Sequence, residues 1–155
     1  MVFVHEWTCT EDGIGRMAAA KLSDDLKTMI TEPIELFRAD DPSWTNQRVT
    51  DGCFMHRLSD GNLIMLWSNI EADGYSIGVA HSSSGDVDGV WEQEDAPLYK
   101  RGSLDHHDGG HGMIFTDTDG RQYLCCHSPN APCEECKERT VLIPIREENG
   151  TISIK

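Results

Sequence analysis

Short apolar runs of strand length, each bounded by a polar turn, recur along this chain. Cys53-Phe54-Met55-His56 follows Thr50-Asp51-Gly52, and Leu63-Ile64-Met65-Leu66-Trp67-Ser68 follows the turn Ser59-Asp60-Gly61-Asn62. Two such runs joined by Asp-Gly predict a β-hairpin over 52–68. The pattern then returns. Gly110-His111-Gly112-Met113-Ile114-Phe115 leads through Asp119-Gly120 to Tyr123-Leu124-Cys125-Cys126-His127-Ser128. Asp119 lies 59 residues after Asp60, and Gly74 lies 59 residues after Gly15.

The remaining elements follow from the same pattern. Residues 1–7 read as a strand, Glu11-Asp12-Gly13 as a turn, and Ile34-Glu35-Leu36-Phe37-Arg38 as a short strand. Residues 17–30 are rich in Ala, Lys, Leu and Met, which favour helix, so a helix there competes with strands. The alignment of Gly15 onward with Gly74-Tyr75-Ser76-Ile77-Gly78-Val79-Ala80-His81-Ser82 favours strands. Residues 40–50 and 100–110 are connecting loops. A strand is expected over 75–82, an edge strand near Trp91 and Leu98-Tyr99, and further strands near 112–116, 122–128, 140–146 and 151–154.

A repeated unit of about four antiparallel strands is the sequence sign of β-propeller blades. The expected fold is therefore all-β, a partial β-propeller of about three blades. Residues 1–41 form an incomplete blade without its leading strand, 50–100 the next blade, and 108–155 the final blade, all within a single domain. Propellers close with about 4–8 blades. A small β-sandwich whose strands merely recur is the alternative.

Composition narrows the partners. The chain has 155 residues, with 27 acidic against 13 basic and a net charge of −14. Phosphate backbones need compensating Lys and Arg, so nucleic acid is not an expected partner. No apolar run approaches the roughly 20 residues of a membrane-spanning helix, so no membrane partner is expected. Met1-Val2-Phe3-Val4-His5-Glu6-Trp7 lacks the basic region and long apolar stretch of a signal peptide. Several of the six cysteines fall inside apparent strands, where Cys serves as a small buried apolar residue. Both observations point to a reducing, cytoplasmic setting.

The chain resembles the later blades of glycoside hydrolase family 43. The resemblance covers essentially the whole sequence. It rests on His5-Glu6-Trp7, Leu22-Ser23-Asp24-Asp25-Leu26, Leu36-Phe37-Arg38-Ala39 and Thr50-Asp51-Gly52. It continues through Gly74-Tyr75 with Val79-Ala80, Gly89-Val90-Trp91-Glu92, Gly109-Gly110-His111-Gly112 and His127-Ser128-Pro129-Asn130. The resemblance implies a five-bladed propeller acting on arabinose- and xylose-containing glycans. It also implies three acidic residues, each heading the innermost strand of one of the first three blades. The third of these, the general acid, falls at Asp51. The family usually has Glu followed by Gly-Pro there; Asp51-Gly52-Cys53 departs at two positions, and Asp draws the carboxyl back by one methylene. The general base and the tuning carboxylate are expected upstream of Met1. The resemblance further implies a cation near the propeller axis, commonly calcium, approached by a histidine at His111.

Antiparallel pairing places the start of one strand beside the end of the next. Asp51 and His111 are thus expected to share a mouth with Glu6, Trp7, Trp44, Trp67, Ser68, Asn69, His106, His107, His127 and Ser128. Trp7, Trp44 and Trp67 are candidate sugar platforms, with packing between blades as the competing role. Asn69 and His127 are candidate polar contacts to substrate, and Glu6 is a second candidate proton donor. Asp51 also suits plain turn chemistry, since Asp-Gly is a common turn pair. Cys125-Cys126-His127 followed by Cys133-Glu134-Glu135-Cys136 raises the question of zinc. Neighbouring strand residues point to opposite faces, so Cys125 and Cys126 cannot easily serve together, and zinc is disfavoured.

The expected function is inverting hydrolysis of arabinofuranosides or xylosides, with oligosaccharide or polysaccharide as substrate. With the acid but not the base, the chain alone is expected to be weakly active or inactive. A non-catalytic carbohydrate-binding propeller, or a degenerate paralogue, is the alternative. A third reading is a complete small β protein with a Cys/His metal site. An open propeller edge also invites self-association.

Overall fold

The structure, a computed structural model, describes residues 1–105, 107–129 and 138–155. The strands form three antiparallel sheets. The first contains β1 (Val2–His5), β2 (Arg16–Ala19) and β3 (Ile34–Arg38), in that order. The second contains β4 (Asp51–Arg57), β5 (Leu63–Glu71), β6 (Gly74–Ser82) and β7 (Trp91–Gln93), with β8 (Tyr99–Lys100) also paired to β6. The third runs from β9 (Gly110–Thr116) through β10 (Gln122–Pro129) and β11 (Glu138–Glu148) to β12 (Thr151–Ile154). The all-β, blade-like expectation is met.

Period-two alternation explains how the sheets stack. In β5, residues Leu63 to Asn69 are all buried, because this strand is covered on both faces. Leu63, Met65 and Trp67 face the first sheet and join Met17, Phe37, Ala80 and Trp91 in one core. Ile64 and Leu66 face the third sheet and join Ile77, Val79, Leu124, Ile143 and Ile145 in another. Each such side chain contributes about 1.5–3 kcal/mol on burial. The third sheet is apolar on its outer face too. Met113, Phe115 and Leu142 stand there about half exposed, at 49%, 47% and 52%.

Several details differ from the sequence expectation. The first strand ends at His5 and gives way to a 3-10 turn over Trp7–Cys9, which Thr10 closes by donating its hydroxyl to the Trp7 carbonyl. The competing helix over 17–30 does not form. Met17, Ala18 and Ala19 lie in β2 and are buried, Met17 in the core shared with the second sheet, and Leu22 and Met29 form an isolated bridge. Burial in a strand overrides their helix propensity. The single expected edge strand is two pieces, β7 and β8, which pair with opposite ends of β6. Among the described residues no helix is long and apolar enough to cross a membrane.

Candidate active site

Two strands break their regular geometry at the same end of the molecule. In β4 the pairing with β5 shifts between Asp51 and Phe54, and Gly52 takes φ +53°. At the head of β9, His111 takes φ +50°, an uncommon conformation for a residue with a side chain. β-Bulges of this kind re-aim side chains. Here the two distortions bring His111 Nε2 to 3.2 Å from Asp51 Oδ1.

Each member of the pair is fixed from behind. Asp51 Oδ1 accepts the Gly52 N–H at 2.9 Å. Ser68, fully buried and directly opposite Asp51 in β5, accepts the His111 N–H on its Oγ at 2.8 Å. Gly52 is required by proximity as well as by φ: a Cβ there would stand 2.8 Å from His111 Cα. The Asp51 side chain remains 36% exposed and that of His111 52%, so the pair is open to a ligand.

His127 belongs to the same cluster. Its ring lies 5.7 Å from that of His111, and Tyr75 meets it edge to face at 4.7 Å. Its Nδ1 lies 3.1 Å from Glu138 Oε2. A carboxylate only accepts, so Nδ1 carries the proton in this contact, and Nε2 lies beside Gly110. Burial pushes the Tyr75 phenol above its ordinary range, and the charges of Asp51, Glu138 and Asp108 add to that, so the phenol stays a donor.

The expected mouth is therefore only partly assembled. Asp51, His111 and His127 do converge. Trp67 does not line the mouth: it is 0% exposed, packs 5.4 Å from Phe37, and donates its indole N–H to Gln93 Oε1. Asn69 is equally buried, donating to Thr45 Oγ1 and accepting from the Ile70 N–H. Both lie on the central strand of the middle sheet, where neither face is free for a sugar. Trp44 is half-buried and packs, tilted, against Trp67 at 5.6 Å; Gly78 makes room for both rings, since a Cβ there would come within 2.8 Å of each. Trp7 is half-buried in its 3-10 turn. Glu6 is exposed and accepts the Thr8 hydroxyl at 2.8 Å. His107 sits in the loop before β9, where its carbonyl accepts from the Tyr99 hydroxyl. His106 lies outside the described residues.

Residue patterning placed Ser68 at the shared end without giving it a role, and it missed Tyr75 and Glu138 as parts of the site. Tyr75 read simply as a strand residue, and the pairing Asp51↔Ser68 was the one signal available for the role of Ser68.

Metal donors are sparse. Among the described residues no group of three or more His, Cys, Asp or Glu side chains is arranged to hold an ion. Calcium takes 6–8 oxygen ligands, and the imidazole of His111 with one carboxylate does not make that cage. Cys126 is buried, and burial, with Cys125 beside it, pushes its thiol up to about 12. Cys125 is half-buried on the other face of β10. Cys133 and Cys136 lie outside the described residues.

The model for glycosyl hydrolases family 43 matches residues 2–152. The chain belongs to family 43. Among solved structures, an endo-arabinase from Bacteroides thetaiotaomicron is similar at 40% identity and a TM-score of 0.77, over 96% of this chain and 52% of that one. A thermostable family-43 glycoside hydrolase aligns at 20% identity and a TM-score of 0.80, over 99% of this chain and 52% of its own. An α-L-arabinofuranosidase from Lactobacillus brevis aligns at 16% identity and a TM-score of 0.73, over 99% and 54%. The last two share the fold. No curated protein matches the chain. The family-43 chain thus spans about half the length of these solved relatives, and its three sheets are a partial propeller.

Proposed function

We propose that this family-43 chain is the portion of an arabinose- or xylose-directed glycoside hydrolase that carries the general acid, Asp51. The single observation behind this reading is the Asp51–His111 pair, exposed at the mouth and buttressed by Ser68 and Gly52. In inverting hydrolysis one carboxyl protonates the leaving oxygen, while a second, about 6.5–9.5 Å away, activates water. Asp51 would supply the proton through Oδ2, since Oδ1 faces Gly52 and His111. This reading assigns sugar contacts to His127 and Trp7 and keeps Glu6 as the second candidate proton donor. The second carboxylate is assigned to the half of the fold that the solved relatives have and this chain does not span. The open outer face of the third sheet supports self-association.

One observation favours a binding role instead. Asp51 is a methylene shorter than the family's usual Glu, and half of its carboxyl is already held by its neighbours. A carbohydrate-binding propeller would need no more.

Hydrolysis of aryl α-L-arabinofuranoside and β-D-xyloside by the purified chain, beside Asp51→Asn, separates the two. The proposed reading expects weak or absent turnover that any longer, active form loses on Asp51→Asn. Saturable sugar binding that Asp51→Asn leaves intact, with no hydrolysis by a longer form, would establish the binding role.

A further inference from the structure

A buried carboxylate stands just behind the site, on the loop that leads into β9. Asp108 is 5% exposed. Its Oδ2 accepts the Tyr75 N–H at 2.6 Å, and its Oδ1 accepts from Arg101 Nη2 at 3.2 Å. Arg101 is itself anchored, donating Nε to the Asp73 carbonyl at 2.5 Å. Gly74 has φ +130°, and a Cβ there would lie 2.5 Å from Asp108 Cγ. The turn into β6 is thus shaped around this carboxylate.

The consequence reaches the mouth through one ring. Tyr75 lies between Asp108 and the imidazoles. A Cβ at Gly110 would stand 2.6 Å from Tyr75 Cδ1 and 2.8 Å from His127 Nε2, so ring, glycine and imidazole are in direct contact. Whatever fixes the Tyr75 backbone therefore fixes the wall against which His127 rests. Asp108 also sits three residues before His111 on the same segment. One buried group sets both approaches to the cluster.

We propose that Asp108 is a positioning residue for the family-43 site, holding His127 in place through Tyr75. Its bearing on sugar binding rests on the function proposed above; its bearing on His127 does not. A buried carboxylate is costly unless hydrogen-bonded, and its two donors, the Tyr75 N–H beside the imidazoles and Arg101, belong to neither apolar core. That location suits a part that orients a site.

The test reads imidazole carbon-bound proton resonances of His127 in the whole chain, at an alkaline pH where ordinary imidazoles are neutral. The Trp67 indole N–H, in the other core, is the reference. Asp108→Ala is expected to move the His127 resonances in the direction that Tyr75→Leu does, with Trp67 unmoved. Asp108→Asn keeps an oxygen for the Tyr75 N–H and is expected to keep His127 near its wild-type position. If Asp108→Ala does not fold, Asp108→Ser is read in its place. His127 unmoved in a folded variant, or Trp67 moving equally, would overturn the proposal. Affinity for an arabino- or xylo-oligosaccharide is expected to fall about tenfold or more in Asp108→Ala, since small misplacements of a site are costly. A wild-type chain that binds and cleaves no sugar would count against the function, and the resonances would still decide the role of Asp108.

Discussion

The N–H of His111, at the head of the third sheet, donates to Ser68 Oγ in the middle of the second. This bond crosses from one sheet to the next at the point where His111 departs from ordinary strand geometry. It holds the imidazole over Asp51. Ser68→Ala should therefore lower stability by about 1–3 kcal/mol, the cost of stranding a buried donor. Urea unfolding would measure that loss, and sugar binding should weaken beyond it.

Gly52→Ala should be worse than its size suggests. The position combines φ +53° with a backbone neighbour, His111 Cα, 2.8 Å from the new methyl. Strain of about 1–3 kcal/mol is expected, together with displacement of His111. Thermal melting gives the first, and loss of the Asp51-dependent sugar signal the second.

Acid should loosen the contact between the second and third sheets through Glu147. Burial pushes this carboxyl up, but donors outweigh it: His56, Gln122 and the Ser59 N–H together hold it at about 2, below its ordinary 4.5. A depressed folded value means the stabilisation is fully present above the ordinary value and is lost as pH falls through the folded one. Urea midpoints taken from pH 5 downward should fall toward pH 2, and Glu147→Gln should flatten that slope.

Trp67→Ala should cost about 3–5 kcal/mol as a core truncation. Its ring is fully buried against Phe37 and Trp44. A folded Trp67 variant with unchanged sugar affinity would agree with this placement; a selective loss of affinity with unchanged stability would contradict it.

The outer face of the third sheet should mediate self-association. Replacing Phe115 and Leu142, both about half exposed, by Lys should shift sedimentation toward the monomer while leaving the melting temperature within a few degrees.

The strands were legible because alternation and Asp-Gly turns are local signals. The hairpin around Asp60-Gly61 and its echo at Asp119-Gly120 appear where the pattern places them. The pairing of Asp51 with His111 was legible as a shared end, from antiparallel geometry and family likeness together. What failed was side-chain direction on the central strand. Trp67 and Asn69 sit at the right height, but Trp67 points into a core and Asn69 is buried against Thr45, since a strand covered on both faces has no wet side. Asp108 and Glu138 carry no local pattern; their roles come from residues 33 and 11 positions away. The helix option over 17–30 was a propensity argument, and it lost to burial of Ala18 and Ala19.

β5 lies between two cores and belongs to both. Neither the first nor the third sheet can gain its packing before this strand is in place. Because β5 is packed into both, its amides should exchange with deuterium only through global opening, whichever outer sheet frays first. A lesion there is felt on both flanks at once, whereas the same lesion in β1 or β12 stays local. The residues flanking Ser68 should therefore open late, and the mouth they support hangs from a strand expected to exchange slowly.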